Sequence, residues 1–156
     1  MEQKFYHISR RSIRKGATLT QAIYGERIID QQTVENSYKL YIKEKIFEDI
    51  RALNFPNLPS RLNCVFLYPD EVTAKFFWAS EYHYQAYLYE VEIIKGEPFL
   101  AEMDLLNCNG LRYTQIRKNA DKYWNQIYHP NSSTLEYLLG GKARVKELVE
   151  GPSKIW

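Results

Sequence analysis

The chain has few of the features that would assign it to a familiar functional class. Its two cysteines, Cys64 and Cys108, form no CxxC pair, so we predict neither a zinc site nor a disulfide framework and expect a reducing cytoplasmic location. No run of about 18 apolar residues occurs, and no basic stretch leads into a shorter apolar one at the amino end, so we expect a soluble protein without a membrane anchor. Neither GxGxxG nor GxxxxGK[ST] occurs, which disfavours Rossmann and P-loop enzymes.

An excess of charge of one sign is also missing. The chain has 21 Lys and Arg against 19 Asp and Glu, a formal net charge of +2. This balance does not by itself indicate a nucleic-acid-binding protein, because such proteins carry a clear basic excess. One local basic cluster, Arg10, Arg11, Arg14 and Lys15, follows the first predicted strand. It is either a solvated loop or a phosphate site.

Aromatic residues, in contrast, are abundant. They make up 15% of the 156 residues, and 13 of them are tyrosines. Tyrosine combines a large apolar ring with a polar tip, which suits amphipathic strands, core edges and the walls of a cleft for a planar ligand. The length fits one compact core, so we expect residues 1–156 to form a single domain.

Hydrophobic periodicity predicts a chain that mixes helices and strands. Apolar residues at three- and four-residue spacing predict long helices at 30–53 and 111–127, and Asp70 should cap a third helix after Pro69. The turn at 96–98 should fold the segment 99–103 back on the preceding strand as a hairpin. The predicted strands are 4–9, 62–68, 85–93, 99–103, the apolar segment 135–139 and 143–149.

Three short segments, in a fixed order, resemble the mono-ADP-ribosyltransferases: Phe5-Tyr6-His7-Ile8-Ser9, Val65-Phe66-Leu67-Tyr68 and Thr134-Leu135-Glu136-Tyr137. The chain is similar to a bacterial family of small uncharacterised domains near that superfamily, and to the rifamycin ADP-ribosyltransferases. It departs from the usual pattern by Ile8 in place of glycine and Phe66 in place of tyrosine. The resemblance implies an α+β fold in which two small antiparallel sheets form a split cleft with flanking helices.

The same resemblance implies that the chain uses NAD as a substrate and transfers ADP-ribose to a protein, nucleic acid or small-molecule acceptor, as a glycosyltransferase. Glu136 would be the catalytic carboxylate, because an anion stabilises the oxocarbenium-like transition state in which the nicotinamide–ribose bond breaks. The implied NAD contacts are His7 and Ser9 to the riboses or phosphates, the main chain of Ile8 to the nicotinamide amide, Phe66 or Tyr68 as the stacking ring, and one of Arg10, Arg11 and Arg14 to the pyrophosphate.

Each assignment has a structural alternative. Glu136 could pair with Lys142 or Arg144, Phe66 could be a core residue, and His7 could be hydrogen-bonded within a strand. The chain could therefore be an ADP-ribosyltransferase, or a non-catalytic relative that binds a nucleotide or macromolecule. A nucleic-acid-binding module is the third alternative, which the near-neutral charge disfavours. Loops at 16–31 and 107–110 would select the acceptor.

Overall fold

The computed structural model describes residues 2–21 and 38–153, and these form an α+β structure. The predicted helix 30–53 is confirmed from Tyr38 onwards, and residues 30–37 lie outside the described part of the chain. Within the described ranges, no helix combines the length and apolarity needed to cross a membrane. The strands are β1 (Phe5–Ser9), β2 (Thr18–Leu19), β3 (Val65–Leu67), β4 (Tyr87–Lys95), β5 (Pro98–Glu102), β6 (Leu135–Leu139) and β7 (Lys142–Glu150), and the helices are α1 (Tyr38–Asn54), α2 (Glu71–Ser80) and α3 (Tyr113–Trp124), with a 3-10 turn at Met103–Leu106.

Local sequence signals explain where two of the helices begin or end. Asp70 accepts a hydrogen bond from the Thr73 amide at 2.7 Å, which caps α2 as predicted. α1 ends at Asn54, two residues before Pro56, because a proline disfavours helical backbone in the residue ahead of it. Because the Asp70 cap starts α2 at Glu71, this helix follows β3 after a connection of only three residues.

The strands form two antiparallel sheets, one of them curled into a half-barrel. Sheet A has the order β1-β4-β7-β2 and sheet B the order β3-β6-β5. Register shifts between β4 and β7 bend sheet A, as bulges do in antiparallel pairs. The predicted hairpin is wrong, because β5 pairs with β6 in the other sheet rather than folding back on β4. Turn residues fix where a chain reverses, but not which sheet receives the next strand.

Two glycine turns carry the chain between the sheets at the same place. Gly96 follows β4 with a φ of 99°, and Gly140 and Gly141 connect β6 to β7. A Cβ at Gly141 would clash with the carbonyl oxygen of Lys95, so this turn requires the absence of a side chain. The close contact locks the two crossovers together.

The sheets pack face to face, and helices cover their outer faces. The inner layer contains Val65, Leu67 and Leu139 from sheet B against Tyr89, Val91, Ala143 and Val145 from sheet A. α2 covers the outer face of sheet A, and α1 and α3 cover the outer face of sheet B. Phe66 and Leu138 face α1 and α3, because alternate residues of a strand point to opposite faces.

Candidate functional site

The two sheets approach each other along the edges of β1 and β3. Tyr6 and Tyr68 form an isolated antiparallel bridge there, with backbone N···O distances of 2.7 and 3.2 Å. His7 is the next residue along β1, and its ring lies against the carbonyl of Phe66, two residues before Tyr68. The seam therefore joins two of the three segments that carried the resemblance.

His7 bridges this seam with one ring nitrogen. Its Nδ1 lies 2.9 Å from the Phe66 carbonyl oxygen, which only accepts, so Nδ1 carries the proton. Burial of the imidazole lowers the pKa of His7, which keeps the ring neutral at pH 7. Nε2 is then an acceptor with no partner among the described residues, and no buried side-chain nitrogen or oxygen there lacks one, so Nε2 reaches the surface.

Hydroxyl groups lie on the same face as His7. Ser9 is two residues along β1 and pairs in register with Tyr87, while His7 pairs with Tyr89. The rings of Tyr87 and Tyr89 are nearly parallel, at 11° and 6.2 Å between centroids. Ser9 Oγ accepts from the amide of Arg11 at 3.1 Å, so its proton remains free to donate. This face offers an imidazole acceptor, a hydroxyl donor and an aromatic ring, and we call His7, Ser9, Tyr87 and Tyr89 the His7 row.

An arginine and a strained loop border the end of β1. The guanidinium carbon of Arg10 lies 4.9 Å from the centroid of the Tyr82 ring, a cation–π contact that orients its planar fork. His83 and Tyr84, the next two residues, have φ of 51° and 61°. Left-handed backbone is costly in residues with a Cβ, and such strain clusters at binding sites.

Glu136 lies elsewhere, in a buried ionic cluster under sheet B. Its carboxylate accepts two hydrogen bonds from Arg61 Nη1, at 2.8 and 3.1 Å, and only 4% of the residue is exposed. Arg61 also donates to Glu44 of α1 at 3.0 Å and to the Tyr123 hydroxyl of α3 at 2.8 Å. The Lys43 ammonium is 3.9 Å from Glu44. We call Lys43, Glu44, Arg61, Tyr123 and Glu136 the Arg61 cluster.

Burial and charge act in opposite directions within this cluster. Burial raises the pKa of Glu136, and the Arg61 guanidinium beside it opposes that shift. Burial also raises the pKa of the Tyr123 hydroxyl and lowers the pKa of Lys43. The guanidinium supplies hydrogen bonds to both carboxylates, which offsets the cost of removing them from water.

The structure brings together only some of the residues implied by the resemblance. His7 and Ser9 lie on the side of β1 that faces sheet B, whereas Glu136 and Phe66 face α1 and α3. Sheet B therefore lies between the Glu136 carboxylate and the inner face that His7 shares. The Phe66 ring is covered by the Arg61 guanidinium, 5.1 Å away.

The remaining two residues lie against α2. Ile8 is buried in the apolar cluster that joins β1 to this helix, so only its main chain is available to a ligand. Tyr68 packs against the same cluster and stacks on Phe77, with 5.4 Å between ring centroids. Burial raises the pKa of the Tyr68 hydroxyl. Both side chains stabilise the attachment of α2 rather than facing the His7 row.

Sequence reasoning missed the residues that surround Glu136. Arg144, considered as a partner, instead forms an exposed pair with Glu92 at 3.3 Å, and Arg61 is the partner of Glu136. Glu44 gave no signal, since it occupies an ordinary polar position of the predicted helix, and only the structure shows that 1% of it is exposed. Arg61 follows a proline-rich turn and gave none.

Two surface cavities occur away from the His7 row. One, of about 490 Å³, lies between α1 and the segment 106–111, and the other, of about 420 Å³, lies beside the end of α1. Neither is lined by His7, Ser9, Phe66 or Glu136. Among residues 2–21 and 38–153, no group of three or more His, Cys, Asp or Glu side chains could hold a metal ion.

Comparison with protein families identifies a match over most of the chain. The sequence model of a family described as "Protein of unknown function (DUF2441)" matches residues 3–151. No curated protein matches the chain.

Proposed function

Since the chain belongs to the DUF2441 family of proteins of unknown function, we propose from its own geometry that it is a dinucleotide-binding domain that holds NAD where β1 meets β3. The observation that supports this most is the orientation of His7, whose Nδ1 is fixed on the Phe66 carbonyl while Nε2 reaches the surface. A neutral imidazole acceptor suits a ribose hydroxyl, which donates, better than a phosphate, which accepts.

The neighbouring residues supply the complementary chemistry. Ser9 Oγ keeps a free proton for a ribose or phosphate oxygen, because it already accepts from the Arg11 amide. Arg10 is exposed and is held over the Tyr82 ring, so its planar fork is pre-oriented for a pyrophosphate. A hydroxyl-binding group and an anion-binding group thus follow each other along β1, as the ribose and phosphate groups do along a dinucleotide.

The nicotinamide ring needs a flat aromatic partner on the same face. Phe66 does not lie on that face, and Tyr68 packs in the cluster that joins β1 to α2. Tyr87 does, because it pairs in register with Ser9 and is half-buried with its ring parallel to Tyr89. We assign the stacking role to Tyr87, which sequence reasoning overlooked.

Glu136 has a structural role in this proposal. Its carboxylate is bonded to Arg61 and almost fully buried, so it contacts neither a ribose on the His7 face nor an acceptor. Binding without transfer, the non-catalytic form of an ADP-ribosyltransferase-like domain, agrees best with this arrangement.

ADP-ribosyl transfer is the second candidate, favoured by one observation. Phe66 and Glu136 share a face of sheet B, with the Arg61 guanidinium contacting both. Transfer would require Arg61 to release the carboxylate to the ribose hydroxyls, so that it could stabilise the oxocarbenium-like transition state.

Titration with NAD, followed by calorimetry and by assay of released nicotinamide, tests both candidates. We expect binding without release, and loss of about tenfold or more in affinity for His7→Ala, since a ribose hydroxyl loses its acceptor. His129→Gln, at an exposed histidine far along the chain, is the matched control. Release that disappears in Glu136→Gln, with ADP-ribose recovered on an acceptor rather than as free ADP-ribose, would establish transfer instead. Absence of binding by the intact chain would refute both.

Arg10→Gln separates the pyrophosphate from the rest of the ligand. We expect this variant to weaken binding of NAD but not of nicotinamide riboside, which has no phosphate. Arg144→Gln removes an exposed arginine elsewhere on sheet A and serves as the control. Equal loss for both ligands would remove Arg10 from the phosphate role.

A further inference from the structure

We infer that the cavity of about 490 Å³ between α1 and the segment 106–111 is a second binding site, for a small organic anion with an apolar body. The inference is independent of the NAD proposal, since the cavity shares no lining residue with the His7 row. Its volume lies within the range of small-molecule pockets. We call it the α1 cavity.

The charged side chains that the structure describes around the α1 cavity are all positive. Two lysines, Lys39 and Lys43, line it, and no described carboxylate does. They are one turn apart on α1, so they lie on the same helix face. Cys108 also lines the cavity, and burial raises the pKa of its thiol, so it stays uncharged at pH 7. An anion is the ligand that this combination attracts.

Both ammonium groups have donors to spare. Lys39 is exposed and has no ion-pair or hydrogen-bond partner within the described ranges. The Lys43 side chain is only 20% exposed, and its ion-pair partner among the described residues is Glu44 at 3.9 Å, close to the distance limit of an ion pair. Glu44 already accepts hydrogen bonds from Arg61, so Lys43 is incompletely paired. A partly desolvated ammonium gains more from a nearby anion than an exposed one does.

The rest of the cavity selects against a bare inorganic ion. Its walls are largely aliphatic, and two asparagines, Asn107 and Asn109, line it at the loop. Apolar walls around a pair of cations match a carboxylate attached to a hydrocarbon or aromatic body. The aliphatic lining consists of Leu40, Ile42, Leu106, Leu111 and Ile116.

A matched pair of probes tests the site by ¹⁵N–¹H correlation spectra of the full chain. We expect 3-phenylpropionate to shift the amide signals of residues 39–43 and 106–116, and its neutral isostere 3-phenylpropionamide to bind about tenfold more weakly, because it lacks the charge-assisted contact. Equal affinity of the two probes would overturn the inference, as would unchanged signals from these residues at a probe concentration of about 10 mM, which saturates sites of millimolar affinity.

Variants locate the contacts. Lys39→Gln together with Lys43→Gln should abolish the preference for the acid, whereas Lys118→Gln together with Lys122→Gln, two exposed lysines of α3, should leave it intact. If the loss of Lys43 unfolds the chain, the single variant Lys39→Gln should still reduce the preference for the acid over the amide. Lys39 contacts no described carboxylate, so this variant should leave the fold intact. Leu111→Trp fills the cavity and should block both probes. An unchanged preference in Lys39→Gln and unchanged binding in Leu111→Trp would place the site elsewhere.

Discussion

Removal of Arg61 is the most informative test of what stabilises the fold. Arg61 is 6% exposed and donates to Glu44, Glu136 and Tyr123, which come from α1, β6 and α3. Arg61→Met keeps most of the side-chain length and removes every one of these hydrogen bonds. The variant therefore leaves two buried carboxylates with Lys43 as their one described neighbouring cation.

The expected cost follows from the burial of the group. Deleting one partner of a buried ion pair costs about 3–5 kcal/mol, because the remaining charge is uncompensated. Guanidinium-chloride unfolding at pH 7 should show a loss of this size. Arg144→Met is the matched control: its pair with Glu92 is about half exposed, so its loss should cost less than about 1 kcal/mol.

The dependence of this cost on pH adds a second measurement. Without the guanidinium, the pKa of Glu136, already raised by burial, rises further in the folded state. The folded variant then binds a proton more tightly than the unfolded chain, so the stability lost relative to the parent shrinks as the pH falls from 7 towards the unfolded value of about 4.5. A difference below about 1 kcal/mol at pH 7, or one that grows on acidification, would refute the structural role of the cluster.

Two further predictions concern the core and the crossover. Gly141→Ala should destabilise the fold by more than about 2 kcal/mol, since its Cβ clashes with the Lys95 carbonyl. The control variant Gly151→Ala, whose Cβ would meet nothing nearer than 4.0 Å, should change the free energy of unfolding little. Equal losses of stability in the two variants would contradict the proposed crossover contact. In native protein a thiol reagent should label Cys108 before Cys64, because Cys64 is 6% exposed and burial raises the pKa of its thiol; simultaneous labelling would show that the core around Cys64 opens readily.

The contrast between Glu136 and His7 shows how far sequence reasoning reached at the candidate site. An acid within an apolar strand has to be paired, exposed or functional, and that rule identified Glu136 as unusual. It did not identify its partner, because Arg61 is 75 residues away and approaches only when β3 packs beside β6. His7 was singled out by its strand, but its tautomer depends on a carbonyl 59 residues away.

The sequence by itself determined the local structure of the chain. Periodicity placed α1, α3 and most strands, and Asp70 set the start of α2, because these depend on neighbours within a few residues. The tertiary structure alone decided the sheet to which β5 belongs, the face on which Glu136 lies and the partners of Arg61. Strand pairing and burial of charge depend on contacts between distant segments, and no local pattern of residues specifies which distant segment will be there.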